Sequence, residues 1–576
     1  MNVSRTKLFF KLSVFLFIIA IFRILYLQYF DPRLAKRSIQ NRIRTTDIEP
    51  SRGRIMDRNG KLIIDNQYSY SLYVIPQYFT ASEYTTDFIS EILRIDKDSM
   101  IFELTSANVF QDRFYRLMKN IDLSVYSGIA EKENMLRGVY VKKEWMRKFV
   151  VECAPHLIGY LGEAREPGEL AKDIKYGDLI GKEGVEYIYD DILRGEKGYI
   201  KELKDVKGNK VSDFKKDKWK NAVKGKDVYL TIDVELQLFA EDLLKNRSGT
   251  IIVQDCSNGE ILALASKPDY TLDIFSGKLS QKEWKRWFED PAKPLYNKAI
   301  MGLYPPGSVI KMGTVIAASE QGLKEPEDIT HCPGGMQIGN RFIKCWLHSG
   351  HGNVDMKDAL TMSCDTYFYD IALSVDIDKW KTTMEKFGFG NKTGIDLKYE
   401  RIGLVPGKEY YTRRIRGDLT GRYANLMIGQ GEFLVTPIQI SNFTCMIANG
   451  GKKFTPHIMH KYGEGDDMTG YENSPEYIGF DKDMLSLVRK AMHDVVNSPN
   501  GTAYRARSSK IIFAGKTGTA QNPHGEDHAW FNAFGPYKDP EIAVTVFEEH
   551  GIGGSLAAFL AREVFEYWHE KNLDAQ

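Results

Sequence analysis

The run from Leu8 to Phe30 carries only two charges, Lys11 and Arg23, which bracket an uncharged centre from Leu12 to Phe22. That centre is short for a bilayer crossing, which takes about 20 residues. A lysine and an arginine at its ends can still reach headgroups along their aliphatic stems. The pattern therefore predicts a spanning helix, with a buried amphipathic helix as the alternative. The chain continues Leu27-Gln28-Tyr29-Phe30-Asp31-Pro32, with no small-x-small cleavage site, so the segment reads as a retained anchor rather than a removed signal peptide. Arg5, Lys7 and Lys11 are matched by Arg33, Lys36 and Arg37 beyond the span, and charge does not set its orientation.

Past the anchor the pattern is that of short strands and helices. Asn59-Gly60 marks a tight turn between the extended segment from Arg52 and the apolar Leu62-Ile63-Ile64. Tyr68 to Ile75 is β-rich, and Ser90 to Ile95 is helix-like. Gly181 to Gly195 reads as a short helix capped by loops, and Lys201 to Lys226 as a lysine-rich hairpin and linker. From Asp227 the texture changes. Val228 to Ile232 and Gly249 to Val253 read as strands around a helix from Leu236 to Leu244. Glu541 to Glu548 alternates like an antiparallel strand and leads through Gly551-Ile552-Gly553-Gly554 into a terminal helix. Strands at the two ends of this part can pair, with helices on the faces of their sheet, which is an α+β layered domain. The expected division is an anchor at 1–30, a β-rich domain at 31–225 and an α+β domain at 226–576.

A chain of 576 residues is long enough for two or three cores. Its 43% hydrophobic and 27% charged residues exclude a disordered or collagenous protein. A net charge of +1 gives no basic excess that would call for nucleic acid, and there is no Walker-type loop.

The candidate chemistry begins at Tyr304-Pro305-Pro306-Gly307-Ser308-Val309-Ile310-Lys311. A serine and a lysine three apart share a helix face, and a desolvated lysine there can activate the hydroxyl. The spacing is common, since Ser4…Lys7 and Ser212…Lys215 share it. Only at Ser308 do prolines and a glycine break the chain just before, with an apolar helix, Met312 to Ala318, just after. Ser363-Cys364-Asp365 follows at the head of the apolar segment Tyr367 to Leu373. Lys516-Thr517-Gly518-Thr519 follows the apolar run Ile511 to Ala514, read as a buried strand. A second copy, Lys392-Thr393-Gly394, sits in a glycine-broken loop and is the weaker candidate. Taken singly, Ser363 could be a helix N-cap and Lys516 a solvated strand end.

Ser-x-x-Lys, Ser-x-Asn/Asp and Lys-Thr-Gly in this order are the motif set of penicillin-binding proteins and class A β-lactamases. The chain resembles class B penicillin-binding proteins over nearly its whole length. Arg52-Gly53 with Asp57-Arg58-Asn59-Gly60 is similar to the start of their pedestal domain. Gly181…Gly184-Val185-Glu186 with Leu193-Arg194-Gly195 resembles its second block. Gly429-Gln430-Gly431, Thr436-Pro437 and His528-Ala529-Trp530-Phe531 resemble transpeptidase-domain signatures. Cys345-Trp346 followed by Gly350-His351-Gly352 resembles the elongation-specific branch. Asp365 stands where many relatives have asparagine, which keeps an acceptor and loses a donor.

The resemblance implies D,D-transpeptidation, the cross-linking of peptidoglycan stem peptides ending in D-Ala-D-Ala, outside the cytoplasmic (inner) membrane. Ser308 would be the nucleophile, Lys311 its base and Ser363 a proton relay, with Lys516 adding positive charge. Thr517 and Thr519 would hold the terminal carboxylate beside Gly518, with Asp365 also lining the substrate site. Backbone N–H groups of Ser308 and Thr519 would form the oxyanion hole. No cofactor is required for acyl transfer. No deacylating glutamate can be assigned, so β-lactams should stay bound. Residues 31–225 lack the acidic motifs of a glycan-polymerising domain, which implies a partner such as a RodA-type SEDS polymerase within the elongation machinery. Division- or sporulation-specific enzymes share this chemistry. A β-lactam-sensing receptor would need a cytoplasmic signalling domain, and only about ten residues precede the anchor. A hydrolase would need a deacylating base.

Cys332, Cys345 and Cys364 cluster with His331, His348 and His351. Cys332, Cys345, His351 and Cys364 can form a tetrahedral zinc site; a Cys332–Cys345 disulfide and plain buried thiols are the other readings. Cys153, Cys256 and Cys445 sit in apolar contexts and read as core.

Overall fold

The computed structural model describes residues 3–29, 43–106, 109–111, 114–204, 210–212, 219–272, 281–414, 417–523 and 525–574. The apolar N-terminal run forms one helix, α1 (Val3–Tyr29). Its segment Thr6–Gln28 is long and apolar enough to cross a membrane, and none of it is buried in the protein. Arg33, Lys36 and Arg37 lie outside the described residues, as do Lys215 and parts of the lysine-rich stretch.

Contacts divide the chain into two compact units, residues 1–52 with 194–225, and residues 53–193 with 226–576. In the smaller unit, Ile43–Ile48 and Trp219–Lys220 both pair antiparallel with Gly198–Lys204.

The larger unit holds two main sheets. In the first, β1 (Ile55–Met56) turns through Asn59-Gly60 into the long β2 (Leu62–Val74), as the turn signal predicted. Gly60 has a φ of +83°, the left-handed value such a turn demands. β3 (Tyr115–Ile121) and β4 (Val139–Phe149) pair antiparallel with β2. β5 (Val228–Leu230) pairs parallel with β1 and antiparallel with Met459–Tyr462. Strands from both sides of residue 225 thus share one sheet, so the contact division does not follow the change of texture in the sequence. A buried ion pair (2.7 Å) joins Arg147 of β4 to Glu186, with Arg147 also donating to the Gly53 carbonyl at 2.6 Å and to Asn66 at 3.0 Å. The helix expected within 90–95 belongs to a longer one, Glu83–Leu93. Gly181 to Gly195 holds two short helices, Gly184–Ile188 and Asp190–Arg194.

The second sheet carries the chemistry. Its strands are β6 (Gly249–Asp255), β7 (Ile261–Lys267), β8 (Ala514–Ala520), β9 (His528–Gly535) and β10 (Ile542–Glu548). Their order is β7-β6-β10-β9-β8, antiparallel throughout. The first and last strands of this part, β6 and β10, are neighbours as expected, and β8 is an edge. The chain enters β8 only at Ala514; Ile512 is 55% exposed, so the apolar run before the lysine is not itself a strand. Helices α2 (Lys311–Glu320), α3 (Met356–Thr361), α4 (Asp365–Ala372) and α5 (Pro437–Ala448) build the helical side, and α6 (Gly554–Asp574) closes the chain. Every residue of α5 is buried, and a Thr436/Gln439 capping box closes its start.

Candidate active site

Ser308 lies in a 3-10 turn, Gly307–Ile310, that runs directly into α2. The sequence predicted an α-helix opening on the serine; the tighter turn instead eclipses side chains three apart. Gly307 makes it possible. Its φ is +57°, and a Cβ there would lie 2.6 Å from the Thr519 carbonyl oxygen. Only glycine lets the turn sit this close to β8. The Gly307 N–H donates to Gly429 O at 2.8 Å, so the serine is held between β8 and the Gly429 loop.

Lys311 is fully buried. Its Nζ donates to Ser363 O (2.9 Å), Ser363 Oγ (3.3 Å) and Asp365 Oδ1 (2.7 Å). The Ser308 hydroxyl, its expected partner, is not among its hydrogen-bond partners in the described residues. Ser363 has a φ of +55° and is 5% exposed. This left-handed residue between α3 and α4 turns its Oγ toward a second lysine as well, and Lys516 Nζ donates to it at 3.0 Å. The residue that caps α4 is Cys364, without a side-chain cap bond, so Ser363 is not a helix cap.

Lys516 is fully buried in β8 and also donates to the Thr517 carbonyl at 3.0 Å. Burial, and then the charge of Lys311, hold its pKa well below the usual lysine value, with Asp365 pulling the other way. Burial therefore works against the positive charge expected of Lys516 in the substrate-free site. The other copy of its motif is unlike it. Lys392 is exposed, and Thr393 is tied to Glu400 by two bonds of 2.6 Å.

Asp365 faces inward. One carboxylate oxygen takes Lys311 and the other accepts the Trp346 backbone N–H at 2.9 Å. The Trp346 indole N–H donates to the carbonyls of Met362 and Ser363, both at 3.1 Å, and so covers the Ser363 kink. Gly518, expected to make room for a ligand, also makes room within the protein. A Cβ there would meet Val309 Cγ1 at 2.8 Å and Pro306 O at 3.2 Å, so the bare position admits the serine turn itself. Thr517 Oγ1 shares a 2.7 Å hydrogen bond with Thr502 Oγ1, and Gln430 Nε2 donates to Thr519 O at 2.9 Å. Thr502 went unnoticed in the sequence, where Asn500-Gly501 before it signals only a turn.

Next to this site the four predicted ligand atoms of Cys332, Cys345, His351 and Cys364 lie within 4.8 Å of one another. His351 Nδ1 is 3.6 Å from both Cys332 Sγ and Cys345 Sγ. A tetrahedron with Zn–S of about 2.3 Å and Zn–N of about 2.0 Å has S···N edges of about 3.5 Å, close to both of these, so the donor set could hold zinc. Cys345 Sγ accepts the Asp365 N–H at 3.3 Å, and Cys332 Sγ is 3.1 Å from Thr366 Oγ1, the hydrogen bonds a thiolate takes. The Cys364 thiol pulls the Cys345 pKa down despite burial, and Cys364 is pushed up by the same contact. None of the six cysteines is in a disulfide, and all are buried, as expected for Cys153, Cys256 and Cys445.

The fold and site define a class, serine acyl-transferases with a Ser-x-x-Lys nucleophile beside a Lys-Thr-Gly edge strand. Known proteins agree. The profile "Penicillin binding protein transpeptidase domain" matches residues 249–566, and "Penicillin-binding Protein dimerisation domain" matches residues 47–230. Peptidoglycan D,D-transpeptidase MrdA of Haemophilus influenzae is 32% identical over 93% of this chain and 87% of its own length. That of Acinetobacter baumannii is 33% identical over 98% of this chain and 88% of its own. The penicillin-binding protein (PBP2) of Helicobacter pylori, solved in complex with MreC, superposes with a TM-score of 0.80, at 29% identity, over 92% of this chain and 99% of its own. The chain belongs to the penicillin-binding protein transpeptidases.

Proposed function

We propose that this protein is a peptidoglycan D,D-transpeptidase of cell elongation, working through an acyl-serine intermediate that β-lactams trap. The carrying observation is Ser363 Oγ, held 3.3 Å from Lys311 Nζ and 3.0 Å from Lys516 Nζ. Ser308 Oγ attacks the carbonyl of the penultimate D-alanine and gives its proton to Lys311, which has first passed one of its own through Ser363 Oγ to Lys516. The tetrahedral oxyanion rests on the N–H groups of Ser308 and Thr519; such a donor contributes about 100- to 1000-fold. Ser363 passes a proton to the amide nitrogen as the C–N bond breaks and D-alanine leaves. The amine of a second stem peptide then attacks the ester, forms the cross-link and frees Ser308. Thr517 and Thr519 hold the donor's terminal carboxylate, whose charge stabilises a protonated Lys516 once it binds. Asp365 keeps Lys311 in place rather than meeting substrate directly.

The reaction can be tested with purified glycan strands bearing pentapeptide donors. Cross-links that disappear with Ser308→Ala support the reading; cross-linking that persists contradicts it. The identity to elongation enzymes favours that branch over division or sporulation, and depletion should give round cells, whereas filaments would assign it to division.

The substrate lies outside the cytoplasmic membrane, so the reading places α1 as a single-pass anchor and the bulk of the chain on the extracytoplasmic side. Residues 31–225 serve as the pedestal and 226–576 as the transpeptidase domain. The relative solved with MreC supports a partner of that kind, and the family resemblance adds a RodA-type SEDS polymerase.

Cys332, Cys345, His351 and Cys364 hold a structural zinc in this reading, whose chemistry is to cross-brace the Trp346 loop and the start of α4. Stoichiometric zinc in the purified chain supports it; free, titratable thiols without zinc overturn it.

A further inference from the structure

Two buried cysteines outside the metal cluster are partners. Cys256 and Cys445 are 189 residues apart in sequence, with their sulfurs in direct contact at 3.5 Å. They are 1% and 3% exposed, in the same hydrophobic core. Cys256 directly follows β6; its N–H donates to Glu541 O at 2.8 Å and its carbonyl accepts Asn449 Nδ2 at 2.9 Å. Cys445 lies in the last turn of α5, and its carbonyl accepts the Asn449 N–H at 2.9 Å. Asn449 thus bonds both cysteine backbones.

The face between α5 and the sheet is otherwise joined by specific polar pairs. Ser441 donates to Gln254 at 2.7 Å, Gln254 to Asn442 at 3.3 Å, and Asn532 to Thr444 at 2.7 Å. The two thiols are the next rung of that ladder, at the end of the sheet where β6 and α5 both finish.

We propose that Cys256 and Cys445 are joined as a structural disulfide in the mature protein. This rests on the reading that residues 31–576 lie outside the cytoplasm, where disulfides persist. The co-reactant is a disulfide-bearing thiol oxidoreductase. The thiolate of one cysteine attacks the oxidant's disulfide and displaces one of its sulfurs. The thiolate of the other then attacks the mixed disulfide, closing Cys256–Cys445 and releasing the second sulfur. The protein loses two electrons and two protons, and the oxidant leaves as a dithiol. Burial, and then the contact with Cys256, hold the Cys445 pKa well above the ordinary thiol value, so exchange belongs to the stage before α5 docks on the sheet. Once formed, the bond is shut away from reductants. It is a staple between strand and helix and does not cycle during turnover.

The test uses the full chain in its own membranes. Thiols are blocked by alkylation in denaturant without reductant, and the digest is read by mass spectrometry. The expected result is one peptide pair, linked through Cys256 and Cys445 and two hydrogens lighter than its reduced parts, with neither residue alkylated. In parallel, purified full chain is denatured, reduced and refolded with oxidised glutathione. Both cysteines alkylated in both arms overturns the inference. Alkylated in membranes but linked after refolding also overturns it for the mature protein, and protease accessibility of the bulk of the chain in sealed membranes then tells whether the extracytoplasmic placement fails with it. As a second readout, the linked protein has a higher Tm than the Cys256→Ser/Cys445→Ser double variant; an equal Tm overturns the stapling role.

Discussion

Ser363 occupies a left-handed backbone conformation that costs a non-glycine residue about 1–3 kcal/mol, and it does so where its hydroxyl touches both buried lysines. Ser363→Gly relaxes that backbone and deletes only the hydroxyl. It should slow acylation by fluorescent penicillin about 100- to 10000-fold, the range for losing a positioned proton relay, while Tm holds or rises. An unchanged rate would remove Ser363 from the proton path. Lys516 makes a separate prediction about pH. Its folded pKa is depressed, so between that value and the unfolded value of about 10.4 the unfolded chain binds a proton the folded chain lacks. Stability from this residue therefore rises with pH across that window. Lys516→Met should melt above wild type at neutral pH, and the difference should shrink as the pH approaches the unfolded value. A difference independent of pH would show that burial is not what depresses Lys516.

At the scale of elements, the serine turn depends on two bare positions, Gly307 and Gly518, meeting across the gap between the turn and β8. Gly307→Ala places a left-handed alanine against the Thr519 carbonyl. The expected loss is about 1–3 kcal/mol of stability, together with an acylation defect larger than the fall in Tm explains. Measuring both on one preparation separates the two effects. The strands β5, β6 and β10 and the helices α2 and α6 were legible because alternation, turn residues and apolar runs are local signals. The serine, its lysine and Ser363 were legible because spacing and motif order survive in one dimension. Other features depend on contacts the linear pattern does not carry. A 3-10 turn and an α-helix share the i, i+3 spacing at Ser308, and only the approach of β8 selects the first. Gly518 reads alike whether it faces a ligand or Val309. Likewise, β5 joins β1 by parallel pairing across more than a hundred intervening residues, and the engagement of Asp365 with Lys311 and Trp346 has no sequence signature.

Across the whole molecule, the pieces on either side of residue 225 stand or fall together. Removing one partner of a buried ion pair takes the counter-charge from the other, so Arg147→Ala should cost about 3–5 kcal/mol. It should lower the unfolding midpoint of the entire 53–193 and 226–576 unit, and two separate transitions would show independent cores instead. The cysteine cluster reaches the nucleophile's base through one residue, since Asp365 gives its N–H to Cys345 and its carboxylate to Lys311. Stripping metal with a chelator should accordingly lower Tm and slow acylation together. The central claim is the acyl-serine at Ser308, and labelling the purified chain with fluorescent penicillin, followed by mass spectrometry of the adduct, tests it most directly. The account predicts a stable adduct on Ser308, absent in Ser308→Ala and Lys311→Ala. An adduct on another residue, or none on the folded protein, would contradict it.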